Sequence, residues 1–389
     1  MSAALLLLAT IVPLPANAQP IDTAAEQVLM IDHETGTVLL SKEPDASVVP
    51  ASMAKLMTLE VAFTAIKEGR LSLDDRIFIS EHAWRTGGAP SGTATMFAEV
   101  NSEVPLADLL RGITVQTAND ACIAIAEALA GSEQAFAEIM NERAAELGLT
   151  DTHFTNPTGL PEPEGQQTTV SDLMTLARHL IDAHGDFYSL FGEPEFEWNG
   201  INQRNRNPLM REMEGIDGLM PGYSEASGYG ITASAVIGGQ RIILAMHGLS
   251  SSSARVSEAQ RLFSWAARSF ERVEVFGADE VVGEVGVFGG EQGRLPVSNP
   301  DGVTVLLPRN ESTNLRGRIV YTSPLRAPIG TGDAVATLRL QNDGMVVSET
   351  PLYAAESVGA GPLHRRAFDA AIELVIGTVQ SGVEAATSR

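Results

Sequence analysis

Pro50-Ala51-Ser52-Met53-Ala54-Lys55-Leu56-Met57-Thr58 places a serine three positions ahead of a lysine among helix-favouring residues. One helical turn separates the two, so hydroxyl and amine share a face and can touch. A serine hydroxyl is a weak nucleophile until a base takes its proton, and a lysine whose pKa is lowered by desolvation can be that base. A helix beginning at Ser52 would add backbone N–H groups beside a developing oxyanion. The same spacing also fits a serine N-cap followed by a surface lysine, which is the commoner use of such a pattern.

Further along, Val115-Gln116-Thr117-Ala118-Asn119-Asp120-Ala121-Cys122 offers a second element. S-x-x-K, S-D-N and K-T-G together form the set used by class A β-lactamases and penicillin-binding proteins, and Thr117-Ala118-Asn119 stands for the second with Thr in place of Ser. A hydroxyl at 117 can relay a proton to a leaving amine, and the Asn119 amide can orient Lys55 and a substrate carbonyl. Taken alone, the segment reads equally as a loop hydroxyl and an asparagine capping a helix that starts at Asp120.

The run around Ser52, the stretch from Gln116 to Ile125, the helical text from Met140 to Gly148, Asn156-Pro157-Thr158-Gly159-Leu160, Asn205-Arg206-Asn207 and Ile216-Asp217-Gly218 resemble the D-alanyl-D-alanine carboxypeptidase family of low-molecular-mass penicillin-binding proteins. The resemblance runs over nearly the whole chain. It implies a serine-type D-Ala-D-Ala carboxypeptidase that trims the terminal D-Ala of peptidoglycan pentapeptides through an acyl-serine intermediate, with β-lactams as covalent inhibitors. Ser52 is then the acylated nucleophile and Lys55 its general base, with Thr117 and Asn119 the second element. The backbone N–H groups of Ser52 and Tyr223 would hold the oxyanion.

At the third element the chain departs from the family. Where relatives carry Lys-Thr-Gly, this sequence reads Met220-Pro221-Gly222, followed by Tyr223. Met and Pro remove one positive charge and one hydroxyl that help to hold the substrate carboxylate. Gly222 is kept, leaving room for substrate beside the strand, and Pro221, with no N–H, is tolerable only on a sheet edge. Arg255, in Ser253-Ala254-Arg255-Val256-Ser257-Glu258, resembles the family's arginine near that carboxylate and can form a two-pronged pair with it. A bond from Arg255 to Glu258 or a surface acid is the alternative. Met220-Pro221 also favours a second class of function: a degenerate member that binds wall peptide or a partner with little turnover. A β-lactamase, the third reading, shares Ser52 and Lys55 but fits the C-terminal part less well.

These residues need elements to hold them. Gln27 to Asp32 and Thr37 to Leu40 read as a hairpin, a helix runs from Ser52 to a stop at Gly69, another spans Ala121 to Ala130, and Gly238-Gly239 joins a second hairpin. Strands at both ends with helices between imply an antiparallel sheet whose first and last strands meet, one α/β domain over 19–272, and the resemblance implies that this domain is transpeptidase- or β-lactamase-like. Short alternating runs beyond it imply a small all-β domain over 273–362. Phe368, Ile372, Val375 and Val379 line one face of an amphipathic helix within 363–389, which either docks on its own protein or lies on a membrane surface.

Ala3 to Val12 is apolar and Ala16-Asn17-Ala18 is a small-residue cleavage site, so residues 1–18 read as a secretory signal. The chain is expected to be exported; the resemblance implies the periplasm, with the tail as a peripheral contact at the inner membrane where it does not dock on its own protein. Lys and Arg number 26 against 49 Asp and Glu, a net charge of −23 that repels nucleic acid. Cys122 is the single cysteine, which excludes an internal disulfide, and the seven histidines show no HExxH and no spaced cluster, so neither metal nor other cofactor is expected.

Overall fold

The computed structural model describes residues 21–309, 314–323, 325–342 and 345–363. The expected signal segment and, past Leu363, the amphipathic tail helix lie outside the described residues. The chain divides into two compact units, one ending at Ser269 and the other beginning at Phe270.

The first unit is built on a five-stranded antiparallel sheet. Strands β1 (Gln27–Asp32) and β2 (Val38–Lys42) form the expected hairpin. Helix α1 (Lys55–Lys67) follows, then the short β3 (Arg76–Phe78), α2 (Glu81–Thr86) and β4 (Glu103–Pro105). Four more helices come next: α3 (Leu106–Gln116), α4 (Asn119–Ala130), α5 (Glu133–Glu146) and α6 (Val170–Ala183), with a single turn α7 (Gly185–Tyr188) after them. A small hairpin, β5 (Glu195–Trp198) and β6 (Ile201–Arg204), precedes the return to the sheet through β7 (Ile216–Ser224), β8 (Gly228–Ile237) and β9 (Gln240–Leu249), and α8 (Ser252–Ser269) closes the unit.

Sheet order is β2-β1-β9-β8-β7, so first and last strands do meet: Gln27 pairs with His247 and Asp32 with Ile242. The β8–β9 turn has Gly238 at φ 60° and Gly239 at φ 81°, two left-handed residues in succession as a tight hairpin requires. Helix α1 is buried nearly all round, from Leu56 and Met57 to Ala62 and Phe63, and serves as the axis of the helical core. That position explains how two charged residues on it, Lys55 and Glu60, come to be sealed from water.

The second unit is all β. Strands β10 (Phe270–Phe276) and β13 (Val303–Pro308) pair with each other. A second sheet has the order β14-β16-β17-β12-β11-β15, formed by β11 (Val281–Phe288), β12 (Arg294–Ser298), β14 (Leu315–Val320), β15 (Leu325–Arg326), β16 (Ala334–Asn342) and β17 (Met345–Ala354). Val285, Leu295, Val297, Leu338 and Leu352 are among the residues of its core. Among the described residues no helix is long and apolar enough to cross a membrane.

Candidate active site

Ser52 does not cap a helix. It lies inside a 3₁₀ turn, Ala51–Ala54, whose N-cap is Pro50, and α1 proper begins only at Lys55. Ala51 has φ 47°, a left-handed conformation that a residue with a Cβ rarely adopts, costing on the order of 1 kcal/mol. The tight turn still leaves serine and lysine on one face: Lys55 Nζ donates to Ser52 Oγ at 3.3 Å. Lys55 is 1% exposed, so it is not the surface lysine of the alternative reading. Burial pulls its pKa down to about 8; Arg206 pulls the same way, and the neighbouring Cys122 pulls against both. The amine is therefore available as a base near neutral pH.

Lys55 also donates to the carbonyl of Thr158. The loop that presents this carbonyl is organised by Asn156, whose Oδ1 accepts from Thr158 N, Thr158 Oγ1 and Gly159 N at 2.8–3.0 Å while Nδ2 donates to the carbonyls of Leu160 and Glu162. Gly159, at φ 76°, faces the Ala51–Ser52 peptide. Neither Asn156, Thr158 nor Gly159 was assigned a role from sequence. The signal available was the turn chemistry of Asn156-Pro157-Thr158-Gly159, which announces a loop but not what the loop touches.

The second element sits where α3 turns into α4. Thr117 takes φ 52° and its N–H returns to Ile113 O, while Ala118 N reaches Gly112 O, a left-handed helix stop. Asn119 is the first residue of α4, not its cap; the N-cap is Ala118. Its Nδ2 donates to Thr93 Oγ1 at 2.9 Å, and Oδ1 is buried with no hydrogen-bond partner among the described residues. One turn on, Cys122 lies against Lys55, and burial pushes its thiol up to about 12, a protonated and inert group. Asp120, also unassigned from sequence, accepts from Thr95 Oγ1, Met96 N and Ala98 N and so ties segment 95–98 to the start of α4.

At the third element, β7 is an edge strand, which accommodates Pro221. Met220 is fully buried and packs in the core cluster. Gly222 also serves the fold. A Cβ there would meet Pro50 O at 2.9 Å and Met53 Cε at 3.1 Å, so its bareness admits the nucleophile's own turn. Tyr223 is exposed and packs on Tyr229 with ring centroids 4.3 Å apart and the planes tilted by 35°. Arg255 is buried with its guanidinium 5.6 Å from the Tyr229 ring centroid and donates Nη1 to Gly222 O at 3.1 Å and to Gly230 O at 3.3 Å. Its Nε is buried without a hydrogen-bond partner among the described residues. Glu258 is not its counter-ion, because that carboxylate is taken by Arg261 at 2.7 Å and by Thr23 Oγ1 at 2.6 Å.

The fold also gathers histidines that are scattered in sequence. Donor atoms of Glu60, His179 and His184 lie within 4.8 Å of one another. A cation is already among them: Arg143 Nη2 stands 2.8 Å from Glu60 Oε1 and 3.3 Å from His179 Nε2. His184 Nε2 is 2.8 Å from Glu60 Oε2, off the line of an ideal hydrogen bond. Burial pushes the Glu60 pKa up, and the combined pull of His184, Arg143 and His179 more than reverses it, to about 2. The cluster braces α1 as a buried ion-pair network.

Comparison with known proteins agrees in both units. The model of the D-alanyl-D-alanine carboxypeptidase family matches residues 15–250, and that of the penicillin-binding protein 5 C-terminal domain matches residues 270–360. D-alanyl-D-alanine carboxypeptidase DacC of Escherichia coli is 34% identical, over 88% of this chain and 86% of its own. DacD of the same bacterium is 32% identical over 92% of each chain. Penicillin binding protein 5 from Haemophilus influenzae superposes with a TM-score of 0.79 at 29% identity, covering 87% of this chain and 99% of that one. With one family model spanning more than half of its length and these relatives covering most of the rest, the chain belongs to the D-alanyl-D-alanine carboxypeptidase family.

Proposed function

We propose that this chain is a serine-type D-Ala-D-Ala carboxypeptidase acting on peptidoglycan pentapeptides, with Ser52 as nucleophile. Neutral Lys55 takes the Ser52 hydroxyl proton as Oγ attacks the carbonyl carbon between the two terminal D-Ala residues. The backbone N–H groups of Ser52 and Tyr223 receive the oxyanion. Thr117, at the turn between α3 and α4, passes a proton to the leaving amine, and Asn119 holds the substrate carbonyl. D-Ala departs, and water, deprotonated by the same lysine, releases the shortened peptide. Arg255 holds the terminal carboxylate through Nε and the free side of Nη2, and Met220 and Gly222 shape the strand edge beside it.

The observation that carries this reading is the 3.3 Å contact between Ser52 and a buried lysine with a pKa of about 8. Departure at Met220-Pro221 touches carboxylate handling and leaves the nucleophile and its base in place, so an enzyme is favoured over a binding-only protein. The test is mass spectrometry after incubation with penicillin. One penicilloyl adduct on the peptide containing Ser52, absent in Lys55→Ala, is expected; labelling elsewhere, or undiminished labelling without Lys55, overturns the assignment.

The apolar face from Phe368 to Val379 supports peripheral attachment of the exported enzyme to the inner membrane. Deleting residues from His364 onward should move protein from membrane to soluble fractions with peptide hydrolysis unchanged, and equal fractionation of both forms rejects the anchor.

A further inference from the structure

Beside the strand edge that meets Ser52 lies a buried histidine for which the reaction above has no use. His247 is 0% exposed on β9, at a point where the β8–β9 register slips: Tyr229 pairs with Leu249 and Ile231 with Met246. The irregularity leaves Gly230 opposite His247-Gly248, and the imidazole fills the space that a side chain at 230 would take, for a Cβ there would meet His247 Cδ2 at 2.6 Å. Gly230 pairs with Gly222, whose own missing Cβ admits Pro50 and Met53. Directly paired residues point to the same face of a sheet. The ring over Gly230 and the nucleophile turn over Gly222 are therefore side by side.

Polar contacts join them. His247 Nδ1 is 2.7 Å from Ser227 O, and Ser227 Oγ accepts from Val49 N at 2.9 Å. Nε2 faces the Val49 backbone without an aligned hydrogen bond. Gly248 N also lies 3.1 Å from Nδ1, but one nitrogen cannot donate to a carbonyl and accept from an amide; the shorter contact places the ring hydrogen on Nδ1. His247 and Ser227 thus hold Val49, which leads into the Pro50–Ala54 segment.

We infer that His247 is a positioning residue for the nucleophile: wedged over Gly230 and bonded through Ser227 to Val49, it fixes the turn that carries Ser52 against β7. The inference rests on the proposed role of Ser52. The bonds of His247 run to the nucleophile side, so its loss slows the acylation step more than it weakens the encounter with substrate, whereas a carboxylate-holding residue does the reverse; Gly230 O also accepts from Arg255 Nη1 at 3.3 Å, so the two effects are read separately.

The experiment measures acylation of the whole chain by a fluorescent penicillin over a range of concentrations, with thermal unfolding recorded for every variant. If the unsubstituted protein is not acylated at Ser52, the functional reading fails and His247 is not at issue. If it is acylated, His247→Ala should lower the limiting acylation rate by about ten- to a hundredfold, the scale of a small misplacement of a reacting atom, with little change in the half-saturating concentration. His247→Asn, whose amide can still donate to Ser227 O, should recover much of the loss. Gly230→Ala, which drives a methyl against the ring while keeping the imidazole, should show the same loss confined to the rate, and serves where His247→Ala does not fold. Folded variants that acylate at the unsubstituted rate, a loss carried by the half-saturating concentration, or an Asn variant no better than Ala would each overturn the proposal.

Discussion

The backbone of Gly159 rests on the carbonyl of Ala51, the residue before the nucleophile: a Cβ on Gly159 would fall 1.8 Å from that oxygen. Both residues are left-handed, Ala51 at φ 47° and Gly159 at φ 76°, and the contact exists because the first turns its carbonyl toward a position where the second has no side chain. Gly159→Ala must push the two chains apart at the place where Thr158 O holds Lys55. Acylation is expected to fall by about a hundredfold, a larger relative loss than any drop in thermal stability. Stopped-flow acylation beside calorimetry measures both, and an Ala variant acylated at the ordinary rate would show that the buttress is dispensable.

Lys55 should set the pH dependence of acylation. With a folded pKa of about 8, only about a tenth of the amine is neutral at pH 7. The rate should climb nearly tenfold per pH unit below that pKa and level above it. A profile flat from pH 6 to about 9 would mean that another group is the base.

Arg255 and Met220 make opposite predictions about the substrate carboxylate. Charge-assisted bonds are worth ~1.5–3 kcal/mol, or on the order of ten- to a hundredfold in kcat/KM. Arg255→Ala should lower kcat/KM for a D-Ala-D-Ala peptide by that factor relative to a neutral ester, which has no carboxylate. Met220→Lys with Pro221→Thr should leave the peptide-to-ester ratio nearly unchanged, because position 220 lies in the packed core and its ammonium would start where Met220 is now sealed. A ratio raised by the double substitution and indifferent to Arg255 would return carboxylate binding to the third element.

Glu60 ties stability to acid. Its folded pKa of about 2 lies below the ordinary glutamate value near 4.3, so the ion-pair network contributes stability that is whole above that ordinary value and is lost as pH falls toward 2. Glu60→Gln, which leaves His184 without its carboxylate and Arg143 with Glu146 alone, should cost up to about 3 kcal/mol at pH 7 and progressively less toward pH 2. Urea unfolding at a series of pH values gives the comparison; a penalty independent of pH would assign the effect to packing.

Much of the architecture was legible because it lies in local pattern. The two hairpins, the α4 stop at Gly131 and the meeting of first and last strands follow from periodicity and glycine placement. Helix α4 starts two residues before the expected Ala121, since Ala118 serves as cap without a side-chain bond. Ser52 was legible as a nucleophile from its spacing to Lys55, yet its 3₁₀ setting was not, because that depends on Gly159 and Gly222 pressing from distant parts of the chain. Glu60, His179 and His184 are likewise near only in space. What Gly222 and Arg255 touch could not be read from their neighbours in sequence for the same reason.

One consequence of the sheet order concerns how the molecule comes into being. Strand β1 pairs locally with β2 but joins the rest of the sheet only through β9, with Gln27 waiting for His247, so the nucleophile turn is synthesised early while the sheet is completed more than halfway along the chain. Such long-range pairings make for slow, late-closing assembly, in which loop entropy is lost before the contacts that offset it can form. A growing chain that stops short of Gln240 holds Ser52 and Lys55 but lacks the strand that joins the β1–β2 hairpin to β7 and β8, and reactivity toward acyl donors should appear in one step when β9 docks. Until Gln240–Leu249 has been made, the chain is therefore expected to stay unreactive although its nucleophile and base are already in place.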